Sequence, residues 1–275
     1  MQPATLTEAA LTVLTEADAA EKALKTRRMA EMRREGAISE IGTAAPPDRP
    51  ARPAKPELLP PNKMPKRRKA GTKENKTALL HALAHIELNA IDLAWDIIAR
   101  FAPLAEENGG EEGYALPRAF FDDWLKVADD EAKHFLLLAG RLADWGAAYG
   151  DLPAHDGLWD AAEKTAQDFA ARLAVVPMVL EARGLDVTPA MIEKMHAQDD
   201  EKTAEILTVI YKDEVTHVAA GTIWFKHYCA HHGQDEEALF QQLVRRYFRG
   251  PLKKPFNDPA RIKAGMIPDW YYPLC

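Results

Sequence analysis

Two short words in the sequence can do metal chemistry. Asp130-Glu131-Ala132-Lys133-His134 and Asp213-Glu214-Val215-Thr216-His217 share the pattern Asp-Glu-x-x-His. On a helix, residues three apart share a face, so Glu131 with His134, and Glu214 with His217, can each chelate one ion. A carboxylate beside an imidazole suits iron, manganese or zinc. Val127, Phe135 and Leu138 flank the first pair, and Ile210, Val218 and Gly221 flank the second, which turns both toward an interior. One Glu-x-x-His arises readily by chance in a helical protein. Two, each preceded by Asp on a separate long helix, do so far less often.

A dinuclear site asks for one further Glu on each of two other helices. Glu87 and Glu181 answer that need: both stand in apolar stretches, Leu83 to Ile91 and Val175 to Glu181, where an unpaired charge is costly. Four glutamates match the charge of two divalent ions. Glu131 and Glu214 are the natural bridges, since each shares a helix face with a histidine. The ions are expected to be iron, with manganese as the alternative.

Other residues surround this set. Asp130 and Asp213 each precede a histidine by four positions; they either hold an imidazole N–H or are ordinary surface residues. His81 and His85 share a face, but Glu87 lies about 200° around from His85. That favours a pocket-mouth or packing role for both histidines. Trp124 and Tyr211 either line a substrate pocket or belong to plain aromatic core. Arg183 pairs with Glu181 or meets an anionic substrate.

These residues need long helices to position them, and the pattern supplies them. Residues 5–35 read as one or two helices, with Thr15 as an N-cap and Asp18 three positions on. Helices are expected over about 74–101, from Pro117 to about 149, over 158–183 with Gly184 as C-terminal cap, and over 199–228. Thr188-Pro189 reads as the start of a further short helix to about 197, and 236–248 as another. No alternating strand of five or more residues is found. The expected organisation is a helical arm (1–41), a proline-rich and basic strap (42–73), a helical bundle (74–249) and a packed tail (250–275). The strap is either a disordered tether or an ordered arm against the body.

Charge divides the same way. The chain carries a net −7 over 275 residues, but residues 1–73 hold +6 and residues 74–275 hold −13. An acidic body is a poor general nucleic-acid binder. The Lys66 to Lys69 cluster reads either as an RNA contact or as a solvated stretch that pairs with acidic residues. The first twenty residues lack the basic start and apolar run of a targeting signal, and no run is long enough to span a membrane. Cys229 and Cys275 read as free thiols of a reducing cytoplasm.

The whole arrangement resembles the ferritin-like dimetal-carboxylate superfamily. His81-Ala82-Leu83-Ala84-His85-Ile86-Glu87, the two Asp-Glu-x-x-His words, Glu181-Ala182-Arg183-Gly184-Leu185-Asp186 and Lys254-Pro255-Phe256-Asn257 resemble recurrent segments of a bacterial family with a domain of unknown function. The likeness runs from about residue 15 to the end. That family is similar to the tRNA isopentenyladenosine hydroxylase, a diiron monooxygenase. The resemblance implies an all-α, ferritin-like four-helix bundle with Glu87, Glu131, His134, Glu181, Glu214 and His217 as ligands. It implies O2, a small organic substrate and a separate electron-donating reductase, with tRNA as a further possible substrate. Metal handling, or a metal kept for stability, is the rival expectation.

Overall fold

The computed structural model describes residues 3–60, 63–64, 72–110 and 113–275. Their regular structure is helical, and extended backbone pairs only in three isolated bridges among the described residues. No described helix is long and apolar enough to cross a membrane. The chain divides into two compact units, Met1–Gly157 and Leu158–Cys275. The Lys66 to Lys69 cluster lies outside the described residues.

The first unit is built on α3 (Lys73–Arg100) and α4 (Arg118–Asp144), which pack against each other. They run antiparallel: Lys76, early in α3, lies over the Trp145 ring just past the end of α4, while Glu87 meets His134 near the middle of each. Thr72 caps α3 by accepting a bond from the Asn75 amide. Pro117 sits at the N-cap of α4, one position before its expected place in the first turn, and the helix stops at Asp144 rather than near 149. Gly146, in a left-handed conformation, turns the chain away there.

Residues 5–35 form two helices, α1 (Leu6–Leu14) and α2 (Ala19–Arg34). Thr15 is not the N-cap of the second. It closes α1, and Asp18 caps α2 by accepting from the Glu21 amide. The carboxylate of Asp18 reaches that amide, whereas the Thr15 hydroxyl bonds back to the Leu11 carbonyl. α1 packs on α3 and α2 on α4, burying Leu6, Val13 and Leu14. Trp95 Nε1 donates to Thr26 Oγ1 across 3.0 Å.

The described strap, residues 42–60, lies against this unit. Ala51 N donates to the Leu14 carbonyl, and Leu59 N to that of Ala154. Lys22 Nζ is 2.5 Å from Asp92 Oδ1 and donates to the Ala51 carbonyl, and Arg52 reaches Asp92 at 3.2 Å and Asn89 at 2.7 Å. Both members of the Lys22–Asp92 pair are buried. Extended chain cannot satisfy its own backbone groups, so these long-range bonds take the place of a ladder.

The second unit corrects the expected single helix over 158–183. α5 (Gly157–Lys164) ends, Asp168 caps α6 (Phe169–Val175), and a π-helical segment, Val176–Glu181, leads without a break into α7 (Ala182–His196). Pro177 explains the π segment: it has no N–H for the carbonyl four residues back, and its ring would strike that carbonyl. The wider turn instead closes with Ala182 N donating to the Pro177 carbonyl. Gly184 is therefore no terminal cap, and Thr188-Pro189 opens no helix; α7 passes through both. Pro189 leaves the Leu185 carbonyl without its helical donor, and Asn257 Nδ2 supplies one at 3.0 Å.

α8 (Glu201–His232) packs on α7 and α6, and Gly233 ends it in a left-handed conformation. α9 (Glu236–Tyr247) lies on α6. The tail is ordered through α10 (Asp258–Lys263) and α11 (Pro268–Tyr271). Trp270 and Tyr271 are buried as expected, while Tyr272 stays 40% exposed. Arg261 is held between the Phe256 and Tyr271 rings and pairs with Asp186 at 2.7 Å.

Candidate metal centre

In the first unit, α3 presents Glu87 and α4 presents Glu131 and His134, one turn apart on the same face. Glu131 and His134 are fully buried and Glu87 is 3% exposed. His134 Nδ1 lies 3.2 Å from Glu87 Oε2 and 3.3 Å from Glu131 Oε2. One candidate ligand atom from each of the three residues falls within 4.8 Å of the others. Burial, the neighbouring Glu131 charge and a hydrogen bond between the two carboxyls push Glu87 up to about 8, and His134 offsets this only in part. A carboxyl that keeps its proton to that pH stands where a cation would otherwise balance the charge. The donor set, two hard oxygens and an imidazole in a dry place, fits iron, manganese or zinc.

The second unit repeats the pattern on α8. Glu214 and His217 are buried one turn apart, with His217 Nδ1 3.9 Å from Glu214 Oε2. Glu181 closes the π segment, half-buried, with its Oε2 atom inside. Gly184 lies against Glu214: a Cβ placed there would meet the Glu214 Cγ and Cδ at 3.8 Å. A mid-helix glycine costs about 1 kcal/mol relative to alanine. This one leaves room beside the carboxylate.

The surrounding residues take varied places. Asp130 accepts from Lys126 and Lys133, each at 2.6 Å. Asp213 is half-buried, and its carbonyl accepts from the Thr216 hydroxyl. His81 Nε2 accepts from the Gly150 amide, and His85 Nδ1 pairs with the Tyr149 hydroxyl at 2.8 Å while its Nε2 meets the His155 carbonyl. Tyr149 stacks on both rings. Burial lowers His81, and lowers His85 to about 4, so both are neutral at pH 7. They join the α3 face to the loop after α4. Trp124 is buried edge-on to Phe120. Tyr211 accepts from Asn257 Nδ2, and Arg183 meets Asp186 and the Lys253 and Pro255 carbonyls.

Sequence reasoning passed over the buried group formed by Lys22, Arg52, Asn89 and Asp92. Its signal was present: Asp92 and Asp96 interrupt an apolar run on α3, and buried carboxylates need cations. Gly221 was read only as a flank of the second pair, and the contact it makes with Pro177 was not legible because the two lie on different helices.

No solved structure matches this chain. An uncharacterized protein of Haemophilus influenzae is similar to it, with 43% identity over 223 residues, 80% of this chain and 75% of that protein. The model of the family described as "Protein of unknown function (DUF455)" matches residues 15–272. That span takes in all six candidate ligands and the strap that braces α3, so the chain belongs to the DUF455 family.

Proposed function

We propose that this protein is a ferritin-like dimetal oxidase or oxygenase that uses O2 on a small organic substrate. The carrying observation is the convergence of Glu87, Glu131 and His134 in a dry interior, one half of a ligand pattern that the sequence repeats. In this reading α3, α4, α8 and the α6–α7 run supply the four helices of the bundle. Glu87, Glu131, His134, Glu181, Glu214 and His217 hold two ions, iron first and manganese second. When bound and reduced, such a pair supplies electrons to O2, and a separate reductase restores them.

The chain's own residues do the rest. Four carboxylates offset the charge of two divalent ions, so no net charge is buried. Glu87 releases its proton as a cation enters, and Glu131 and His134 hold the ion from one turn of α4. Apolar side chains around them exclude water and strengthen each contact. Anaerobic loading with Fe(II), then air, should give an absorbing diferric centre with about two irons per chain. A chain that takes up at most one ion would sink this reading.

The full burial of Glu131 and His134 also favours a second reading, a metal held for stability. Glu131→Gln separates the two. A fall in melting temperature, with no O2 consumption by the metal-loaded parent, supports the structural role.

A further inference from the structure

The π segment before α7 and a glycine on α8 meet at one point. A Cβ built on Gly221 would lie 2.5 Å from Pro177 Cγ and 2.6 Å from its Cβ. The proline ring is therefore seated directly on the backbone of α8, and no larger residue fits there without movement. Seven residues on from Pro177 and seven back along α8 from Gly221, a second, looser contact sets Gly184 beside the Glu214 side chain, 3.8 Å from where its Cβ would stand. The tight contact and the looser one run in opposite chain directions, which sets an antiparallel register. Between them, four residues on from Pro177 and four back from Gly221, this register brings Glu181 and His217 to one level along the helix pair. The first unit has the same relation in direct contact, Glu87 facing His134 at 3.2 Å.

The π segment matters to this register. A π turn closes over one residue more than an α turn. Relaxing it to α geometry would turn everything after it by about 100° relative to α6. Glu181 is its last residue, so its direction depends on the turn being kept.

We propose that the Pro177 ring seated on Gly221, with the π turn it enforces, is a positioning device that sets Glu181 against His217 as one metal-binding half. This rests on the reading of Glu181 and His217 as ligands and adds two residues that touch no metal.

The test begins with chelator-treated protein titrated anaerobically with Co(II), whose visible bands report coordination, while circular dichroism reads helix content and melting. The variants are G221A, P177A and, as a glycine-to-alanine control, G140A, where a Cβ meets nothing within 4 Å. Parent and G140A should bind two ions alike. G221A and P177A should keep the parent's helix content, hold the first ion, and bind the second about 10- to 100-fold more weakly with altered bands. Either variant binding both ions as the parent does overturns the proposal; if one fails to fold, the other decides.

A second arm needs no metal. E181C/H217C, with peptide mass mapping to set aside Cys229 and Cys275, should be joined by a short bifunctional thiol reagent such as dibromobimane, which spans the gap that a glutamate and a histidine side chain would fill, and the same pair in a G221A background should not. Failure to cross-link in a folded E181C/H217C protein overturns the register. Cross-linking there, with a parent that binds no ion, keeps the positioning claim and overturns the dimetal reading.

Discussion

Glu87 is the residue at which metal-free and loaded protein should differ most. Its carboxyl is raised from 4.5 to about 8 by burial first and by Glu131 second. A group raised in the folded state stabilises the fold below its unfolded value, and that contribution is lost as pH climbs through the folded value. Chelator-treated protein should therefore lose melting temperature between about pH 4.5 and about pH 8, and Glu87→Gln should flatten that slope. The same variant should raise metal-free stability at high pH by about 1–3 kcal/mol, the usual cost of an uncompensated buried polar group. It should also abolish metal-induced stabilisation. Metal uptake in weak buffer near pH 6.5 (about neutral) should release protons, readable with an indicator dye. The ligand types were legible because a three-residue spacing on a helix is local information. The Lys22–Asp92 pair was not, because its members lie 70 residues apart.

At the scale of elements, α7 is held together by a bond from outside itself. Asn257→Ala removes the donor that replaces the missing Pro189 N–H, leaving the Leu185 carbonyl buried. The expected cost is about 1–3 kcal/mol in urea unfolding, with helix content kept. Gly184 makes the opposite case. Gly184→Ala should stabilise α7 by up to about 1 kcal/mol, since its Cβ reaches Glu214 only at ordinary contact distance. Gly184→Leu should crowd that carboxylate and weaken metal binding, read by the same cobalt titration. The positions of long helices were legible from periodicity and from caps such as Thr72. The path from 158 to 196 was not. Gly184 and Thr188-Pro189 carry strong local stop and start signals, yet packing on α8 and the Asn257 bond override both. Local preferences of about 1–3 kcal/mol yield where tertiary contacts exceed them.

Across the first unit as a whole, six basic residues of the described N-terminal segment are paired with carboxylates later in the chain. Arg27 and Arg34 pair with Asp129, Arg33 with Asp122, Arg49 with Asp156, and Lys22 and Arg52 with Asp92. A positive arm and an acidic body were legible as composition, and pairing between them was one reading of it; which arginines meet which carboxylates was not legible, because the partners lie far apart in sequence. The exposed pairs are worth little each and weaken with salt. Asp92→Asn is the exception, since it strips the buried Lys22 of its counter-charge. It should cost about 3–5 kcal/mol and hasten proteolysis of the strap, followed by mass spectrometry. The pairing of Lys22 on α2 with Asp92 on α3 has one more consequence, in time rather than energy. Lys22 leaves the ribosome 70 residues before Asp92. At about 5–20 residues per second that is a wait of roughly 4–14 s, longer still for the partners on α4. During it the apolar sides of α1 and α2 have only each other, without α3 and α4, to cover them. The nascent chain thus passes through an adhesive stage, and holding factors at the tunnel exit should bind it before α4 has emerged and release it after.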